Sequence, residues 1–280
     1  MARVRYRTVW ISDTHLGSKG AQAARLSAFL KSIDCQRLYL VGDIVDFWRL
    51  RRGRSHWPDD HNDVVRRLLK LVKRGTAASI IPGNHDAVLR QYDGLRLGGF
   101  VIEKHAVHEC LDGRRLLVIH GDQYDLAVKH SPLLCLIGSA AYEQLLVVNR
   151  WHNRFRKWRG KPYWSLAQHA KLKVKSACTF ISRYRESVLE DVAHRGLDGI
   201  VCGHIHQPEL TPGTPSYYNC GDWIENCTAL VEHHNGEMEL VHAEDVIGMS
   251  SGDPDVDGFG ADVERDARRA ASLIPAVARL

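Results

Sequence analysis

Five short apolar segments of this 280-residue chain each end in a compact group of histidine, aspartate or asparagine. The groups are Asp13 with His15, Asp43, Asn84 with His85 and Asp86, His120 with Asp122, and His204 with His206. An apolar run that stops at polar residues is typical of a buried strand that opens into a loop. Because ligands of open α/β sheets bind at the carboxyl ends of the strands, we expect these groups to lie close together.

The spacing of apolar residues predicts the fold class. The predicted strands are residues 9–11, 38–41, 78–81, 100–104, 106–111, 115–119, 199–202, 217–220 and 229–231, and the predicted helices are residues 21–33 and 64–72. The early alternation of strand and helix predicts β-α-β units and a largely parallel sheet. The later strands follow one another, with hairpin signals at Asp112-Gly113 and Asn235-Gly236, and predict a mixed or antiparallel sheet. The fold class is therefore α/β.

The pattern also predicts how the chain divides. Residues 1–122 and 198–247 carry the strands and form the predicted core, and residues 123–197 are expected to form an inserted helical cap. Residues 248–280 begin with a run rich in Gly, Ser and Asp that cannot bury a core, so a flexible tail is expected there.

The positive charge of the chain is concentrated in the predicted cap. The net charge is only +5, yet residues 144–185 contain eleven Lys or Arg and no Asp or Glu. Such a block favours an anionic partner, which could be a nucleotide phosphate, a nucleic acid or a lipid surface. The seven cysteines are scattered without Cys-x-x-Cys spacing, so they indicate neither a disulfide framework nor a zinc ribbon.

The polar groups provide seven candidate metal ligands, none of them a thiolate. They are Asp13, His15, Asp43, Asn84, His120, His204 and His206. A single histidine at a strand end is more often a hydrogen-bonded structural residue, but five such groups in register favour a metal site. Mixed oxygen and imidazole donors suit Mn, Fe, Zn or Co, and seven donors exceed what one ion uses. Two divalent cations sharing one carboxylate would hold a hydroxide and stabilise the charge of phosphoryl transfer.

The same residues resemble a known family. Asp13-Thr14-His15, Gly42-Asp43, Gly83-Asn84-His85-Asp86, His120-Gly121-Asp122 and Gly203-His204-Ile205-His206 match, in order, the five motifs of the calcineurin-like metallophosphoesterase superfamily. The resemblance implies a four-layer sandwich of two mixed β-sheets flanked by helices. It also implies that one metal takes Asp13, His15, Asp43 and His206, and that the other takes Asp43, Asn84, His120 and His204. His85 and Asp86 are then catalytic: His85 acts on the substrate, and Asp86 orients its imidazole.

A narrower likeness concerns the substrate. Residues 42–48, residues 120–125, the insertion that follows them, and Gly221-Asp222-Trp223 resemble the UDP-2,3-diacylglucosamine hydrolases of lipid A synthesis. That family cleaves a pyrophosphate to give UMP and a lipid phosphate, by attack of a metal-bridging hydroxide. Members established in the pathway carry Arg after the motif Asn, whereas this chain has His85 and resembles a divergent branch. The alternatives are a generic phosphodiesterase, phosphatase or nuclease, and, in another class, a non-catalytic binding scaffold.

The remaining expectations concern partners and place. The expected cofactor is a pair of divalent ions, with Mn²⁺ favoured. We assign substrate contacts to Asn84, His85, Asp125, Lys171 and Lys175. The partner is expected to be a nucleotide-linked acylated sugar, and the basic, aromatic cap would contact an anionic membrane surface. No groove-reading motif marks the chain, so nucleic acid is not the expected partner. Without a signal-peptide pattern or a long apolar run, we expect a cytoplasmic protein, peripheral on the inner membrane face.

Overall fold

The computed structural model describes residues 3–51, 56–125, 159 and 175–249, and its strands form two sheets. The strands of the first sheet are β1 (Val4–Ile11), β2 (Ile33–Val41), β3 (Ala77–Ile81), β4 (Arg96–Leu97), β5 (Phe100–Ile102), β11 (Thr228–Glu232) and β12 (Met238–His242). Those of the second sheet are β6 (Ala106–Glu109), β7 (Arg115–Val118), β8 (Gly199–Cys202), β9 (Glu209–Thr211) and β10 (Ser216–Asn219).

Both sheets are mixed. The first has the order β12-β11-β1-β2-β3-β5-β4, in which the neighbours from β1 to β5 run parallel and the outer pairs run antiparallel. The second has the order β6-β7-β8-β10-β9, with β7, β8 and β10 parallel. The parallel strands bring several carboxyl ends to the same edge of each sheet, and the predicted polar groups follow these ends.

Side-chain alternation along the strands places one apolar layer between the sheets and one outside each of them. In β1, Val9 and Ile11 pack outward against helices, whereas Trp10 faces the second sheet. In β7, Leu116 and Val118 face the first sheet, and Leu117 packs outward. This is the period of two that a strand covered on both faces requires.

Helices cover the outer faces. They are α1 (Ala23–Ser32), α2 (Phe47–Arg51), α3 (Asp59–Lys73), α4 (Lys175–His194) and α5 (Ala243–Met249), with short 3₁₀ helices at Ala87–Tyr92 and Asp122–Tyr124. Residues of α1, α3 and α5 pack on the first sheet, and Tyr184, Val188 and Val192 of α4 pack on the second. The predicted α/β class and four-layer arrangement are therefore confirmed.

Several local expectations are also met, and some element boundaries differ, among them the start of α3 at Asp59 and the end of α1 at Ser32. Antiparallel hairpins join β6 to β7 at Asp112-Gly113 and β11 to β12 at Asn235-Gly236. β1 and β2 are longer than predicted, because their amino-terminal halves alternate buried residues with exposed polar ones and still pair in register. Residues 126–158, 160–174 and 250–280 lie outside the described residues, so the cap and the tail remain predictions. Over the described part of the chain, no helix combines the length and the apolar character needed to cross a membrane.

Candidate metal centre

The loops that carry the predicted ligands are joined to one another by backbone hydrogen bonds. After β1, the Asp13 amide donates to the Gly42 carbonyl at 3.0 Å and the His15 amide donates to the Asp43 carbonyl at 2.9 Å. In the second sheet, the Gly203 amide donates to the His120 carbonyl at 3.1 Å. The loops therefore form a continuous edge rather than five separate segments.

Two further bonds join the sheets at this edge. The His204 amide donates to Asp13 Oδ2 at 2.9 Å, and His120 Nδ1 lies 3.0 Å from the Val41 carbonyl oxygen. Asp13 and Val41 belong to the first sheet, whereas His120 and His204 follow β7 and β8 of the second. The five motifs thus meet where the two sheets approach each other.

The backbone at this edge is strained. Of the described residues, six that are not glycine have positive φ, and five of these are predicted ligands: Asp13 (53°), His15 (45°), Asp43 (54°), His204 (68°) and His206 (53°). The left-handed region costs such a residue about 1 kcal/mol or more, and this strain concentrates at functional sites. The fold holds these side chains in directions that ordinary loop geometry would not give them.

Glycine is required beside two of the ligands by close approach. A Cβ at Gly83 would overlap Asp43 Oδ1 and the His120 ring, and a Cβ at Gly203 would overlap Asp13 Oδ2. The backbone before Asn84 and before His204 can therefore lie against the carboxylates only because no side chain intervenes.

One half of the ligand set surrounds Asp13. His206 Nε2 lies 3.1 Å and His15 Nε2 lies 3.8 Å from Asp13 Oδ1, and His15 Nε2 lies 3.7 Å from Asp43 Oδ2. Two donors that each bind a shared cation at about 2.1 Å are themselves about 3–4 Å apart. The observed separations therefore match those of ligands around one ion.

The other half surrounds His120. Its Nε2 lies 3.5 Å from Asp43 Oδ2 and 3.3 Å from Asn84 Oδ1, and its ring centroid lies 5.1 Å from that of His204. His204 Nε2 in turn lies 2.8 Å from Asp125 Oδ1. Asp43 thus belongs to both halves, as the shared carboxylate of the predicted pair of ions would.

His85 lies beside this cluster, with its ring held on three sides. Its Nδ1 lies 3.1 Å from Asp46 Oδ1, and Trp48 stacks on the ring at a centroid distance of 4.3 Å. The His15 ring meets it edge-on at 4.6 Å, and Nε2 lies 3.9 Å from Asp43 Oδ2. The imidazole is thereby directed toward the ligand cluster.

The carboxylate expected to orient His85 is a different one. Asp86 is fully buried, and its oxygens accept hydrogen bonds from the amides of Gly83 (2.6 Å), Ile44 (2.8 Å) and Asp43 (3.2 Å). The expectation that Asp86 orients the imidazole is therefore wrong, because Asp86 joins two backbone loops and Asp46 faces the ring. Instead of the catalytic role expected for it, Asp86 thus has the role of a residue that shapes the site.

The charges of the cluster shift several pKa values. Burial by itself would raise the pKa of Asp43, but His120 and His15 hold it well below its usual range. Burial would lower the pKa of His120, yet the carboxylates of Asp43 and Asp13 raise it to about 10. Burial lowers the pKa of His15 to about 4. The opposite shifts of Asp43 and His120 thus have one physical cause, the close approach of a carboxylate and an imidazole in a buried site.

The donor set fits divalent cations by a second criterion, buried ligand atoms that form no hydrogen bond. Asp13 Oδ1 and His15 Nε2 are buried and form no hydrogen bond within the described part of the chain. Unsatisfied buried polar atoms are costly, and a bound ion satisfies them. The ligand atoms also fall into overlapping groups within 4.8 Å, namely Asp13, His15 and His206, then His15, Asp43 and His85, and then Asp13, Asp43 and His120.

The residues assigned to substrate contacts are only partly described. Asn84 and His85 border the cluster, and Asp125 lies against His204. Lys171 and the side chain of Lys175 lie outside the described residues, so their assignment remains a prediction.

Of three further residues near the site, Trp48 falls within the segment 42–48 quoted above, whereas Arg90 and Tyr184 were not singled out from the sequence. Trp48 covers His85, Arg90 hydrogen-bonds Asp122, and Tyr184 of α4 lies buried 6.2 Å from the His204 ring. Arg90 and Tyr184 gave no signal, because their positions depend on how distant elements pack.

Comparison with known proteins agrees with this geometry. A family model described as calcineurin-like phosphoesterase matches residues 6–208. The chain is 27% identical over 244 residues to the UDP-2,3-diacylglucosamine hydrolase of Cellvibrio japonicus (strain Ueda107), covering 82% of this chain and 92% of that protein. It is 25% identical over 245 residues to the protein of the same name from Aeromonas salmonicida (strain A449), covering 80% and 89%. Since the family model spans well over half of the sequence, the chain belongs to the calcineurin-like phosphoesterase family.

Proposed function

We propose that this protein is a dinuclear metal-dependent phosphohydrolase that cleaves the pyrophosphate of UDP-2,3-diacylglucosamine to UMP and a lipid phosphate. Family membership supports a phosphohydrolase that uses divalent metal ions. The observation that carries the two-cation proposal is the buried cluster in which Asp43 adjoins both His15 and His120 while Asp13 Oδ1 and His15 Nε2 lack hydrogen bonds.

The ligands divide between two ions in this proposal. Asp13, His15, Asp43 and His206 would hold one ion, and Asp43, Asn84, His120 and His204 would hold the other. When bound, such a pair of cations supplies a nucleophilic water near neutral pH and neutralises the charge of the phosphate oxygens. We propose Mn²⁺ for both places, with Fe, Zn and Co as ions that the same donors accept.

His85 is the group placed to handle a proton. Asp46 engages its Nδ1, which leaves Nε2 directed to the cluster, and a quarter of the side chain is exposed. Burial alone would lower the pKa of His85, but the Asp46 carboxylate, 3.1 Å from Nδ1, and the charge of Asp43 raise it. A protonated Nε2 can donate to the oxygen of the leaving group, and Trp48 and His15 keep the ring in place.

The identity of the substrate rests on the relatives and on the basic segment. Two relatives that the chain matches over most of their length are named UDP-2,3-diacylglucosamine hydrolase. The eleven cations of residues 144–185, Lys171 and Lys175 among them, provide charge for a diphosphate or an anionic membrane surface. We therefore propose a cytoplasmic enzyme that meets its acylated substrate at the inner membrane face.

Turnover of several substrates by one preparation tests the proposal. The protein, loaded with Mn²⁺, would be assayed on UDP-2,3-diacylglucosamine, an aryl phosphodiester and single-stranded DNA. We expect the highest kcat/KM on the nucleotide-linked lipid. Turnover confined to the aryl ester would indicate a generic phosphodiesterase, turnover confined to DNA a nuclease, and no turnover with any substrate a binding scaffold.

The variant His85→Ala separates chemistry from metal binding. We expect it to retain both ions and to lose about 10²–10⁴-fold in kcat, the usual contribution of a general acid. The matched control is His233→Ala, which removes a partly exposed histidine paired with Glu239 at 2.7 Å, and it should leave kcat unchanged. Loss of metal from His85→Ala would contradict the role proposed for His85.

A further inference from the structure

Arg90 joins the two sheets beside the ligand cluster. It lies in the 3₁₀ helix that follows β3, and its Nε and Nη2 donate to the Pro82 carbonyl at 3.3 and 3.1 Å. The same Nη2 donates to Asp122 Oδ1 at 2.7 Å. Pro82 directly follows β3 of the first sheet, whereas Asp122 lies just beyond β7 of the second. One guanidinium thus bridges the third and fourth motifs.

The two ends of this bridge adjoin two ligands assigned to the same cation. Pro82 precedes Asn84 by two residues, and Asp122 follows His120 by two residues. Asn84 Oδ1 and His120 Nε2 lie 3.3 Å apart. A shift of one sheet relative to the other would change this distance directly.

On the His120 side, the ring is also held to the first sheet, because Nδ1 lies 3.0 Å from the Val41 carbonyl oxygen. The other contacts of the third motif stay within the first sheet, so of these contacts the Arg90 bridge is the one that joins the third motif to the second sheet. Asp86 bonds the amides of Gly83, Ile44 and Asp43, all of which belong to loops of the first sheet. The His85 amide donates to Asp43 Oδ1 at 2.8 Å, again within the first sheet. The ligands around Asp13 have their own bond between the sheets, from the His204 amide to Asp13 Oδ2.

We propose that Arg90 is a positioning residue that holds Asn84 and His120 at the spacing required by the cation they share. The inference rests on the proposed function, because it presumes the pair of ions. A guanidinium suits this task, since its planar fork bonds a carbonyl and a carboxylate at the same time, which the point charge of lysine does less well. Because about 37% of the Arg90 side chain is exposed, its bridge adds little to stability and acts mainly on geometry.

Calorimetric titration of Mn²⁺ into the metal-free full-length protein tests this role without relying on turnover. Arg90→Met should weaken one of the two Mn²⁺ sites by about 10–100-fold, the usual cost of losing a residue that orients ligands, and change the other by less than about threefold. Arg90→Lys should recover part of the lost affinity. The variant Asp122→Asn removes the charge at the other end of the bridge and should weaken the same site.

Arg74→Met is the matched control. Arg74 Nε lies 3.0 Å from Asp34 Oδ1, joins two distant parts of the chain and has a similar exposed fraction, 32%. This pair lies at the start of β2 and the end of α3, away from the ligand loops. The control should leave both Mn²⁺ sites unchanged, and its melting temperature without metal should match that of Arg90→Met within a few degrees.

Several results would overturn the proposal. The first is that Arg90→Met and Asp122→Asn bind Mn²⁺ at both sites with unchanged affinity, and the second is that both sites are weakened equally. The third is a raised KM with both Mn²⁺ affinities intact, which would make Arg90 a substrate contact. If Arg90→Met fails to fold, Asp122→Asn decides the question. A wild-type protein that binds fewer than two Mn²⁺ ions would overturn this inference and the dinuclear site together, whereas two ions bound normally by the variants would overturn this inference alone.

Discussion

In the part of the chain that the structure describes, two buried clusters combine histidine with carboxylate, and they differ in how their polar atoms are satisfied. In the first, Glu232 Oε2 accepts hydrogen bonds from Thr8 Oγ1 at 3.2 Å and from Arg7, and lies 2.9 Å from His108 Nε2. Its Oε1 accepts a bond from the Leu111 amide at 2.8 Å. In the metal centre, by contrast, Asp13 Oδ1 and His15 Nε2 form no hydrogen bond within the described residues, and the nearest ring nitrogen to Asp13 Oδ1 is His206 Nε2 at 3.1 Å.

The comparison shows that ligand types in proximity do not by themselves indicate a metal site. His108, Cys110 and Glu232 have candidate ligand atoms within 4.8 Å of one another, as the metal centre does. However, Arg7 already provides the positive charge that Glu232 requires, and both carboxylate oxygens are occupied. None of the three has positive φ. We therefore assign the Glu232 cluster to stability and the Asp13–Asp43 cluster to binding.

The largest expected effect that separates the clusters is the loss of activity in Asp43→Ala. Because Asp43 adjoins both halves of the ligand set, its removal should abolish stoichiometric Mn²⁺ binding and lower kcat/KM by about 10⁴-fold or more, which corresponds to ~5.5 kcal/mol. Elemental analysis and steady-state kinetics measure both quantities. Asp43 lies in none of the three apolar layers that pack between and outside the sheets, so circular dichroism should show a folded protein. Full metal content in this variant would contradict the assignment.

For Glu232→Ala we expect a loss of stability without a loss of metal binding. Removing the carboxylate leaves Arg7 and His108 without their buried partner, so the free energy of unfolding should fall by about 3–5 kcal/mol. Urea unfolding measures this loss, and Mn²⁺ affinity of the folded variant should remain that of the wild type. The control Glu239→Ala removes a carboxylate with an exposed side chain and should cost under about 1 kcal/mol. Weakened Mn²⁺ binding in Glu232→Ala would break the distinction between the clusters.

The pH dependence of stability should also identify the Glu232 cluster. Burial alone would raise the pKa of Glu232, but hydrogen bonds with His108, Leu111 and Arg7 lower it to about 2, from an unperturbed 4.5. A carboxyl with a lowered pKa in the folded state stabilises above its unfolded value, and this contribution is lost as pH falls. It should amount to at most about 3 kcal/mol at neutral pH and disappear between about pH 4.5 and pH 2.

The variant Glu232→Gln provides the reference for that measurement. The difference in unfolding free energy between wild type and variant, from urea titrations at several pH values, should shrink as pH falls through this range. A difference that stays constant would show that the carboxylate charge does not contribute. Groups of the metal centre titrate in both proteins and cancel in the difference.

The sequence predicts the binding cluster far better than the stabilising one. Its ligands follow apolar strands whose carboxyl ends share an edge, so their convergence follows from sheet geometry alone. The partners of Glu232 lie at residues 7, 8, 108 and 111, and only the pairing of β1 with β11 and the stacking of the sheets bring them together. No local pattern records such contacts.

The carboxylate beside His85 is a second feature that the sequence did not predict correctly, since it is Asp46 and not Asp86. Asp86 is the nearer carboxylate to His85 in sequence, but the turn after β3 directs it toward the amides of Gly83 and Ile44. Asp46 reaches the ring because Asp43 at φ 54° turns the loop after β2 toward the site. Along a strand, the direction of each side chain follows from the period of two and can be predicted from the sequence. In a loop, the direction depends on backbone angles, and the sequence indicates these angles only at positions where glycine is required.

The smallest expected effect is that of Cys110→Ala, which tests whether the Glu232 cluster binds a metal ion. Cys110 is buried, and burial raises the pKa of its thiol to about 12, so the thiolate that binds metals is scarce near neutral pH. Cys110→Ala should therefore leave Zn²⁺ and Mn²⁺ content unchanged and lower the free energy of unfolding by about 1 kcal/mol, through a small loss of packing. Elemental analysis after dialysis against each ion, with urea unfolding, measures both. If Cys110→Ala instead binds one metal ion fewer than the wild type, the Glu232 cluster binds an ion despite Arg7. Satisfied hydrogen bonds would then not distinguish a stabilising cluster from a binding one.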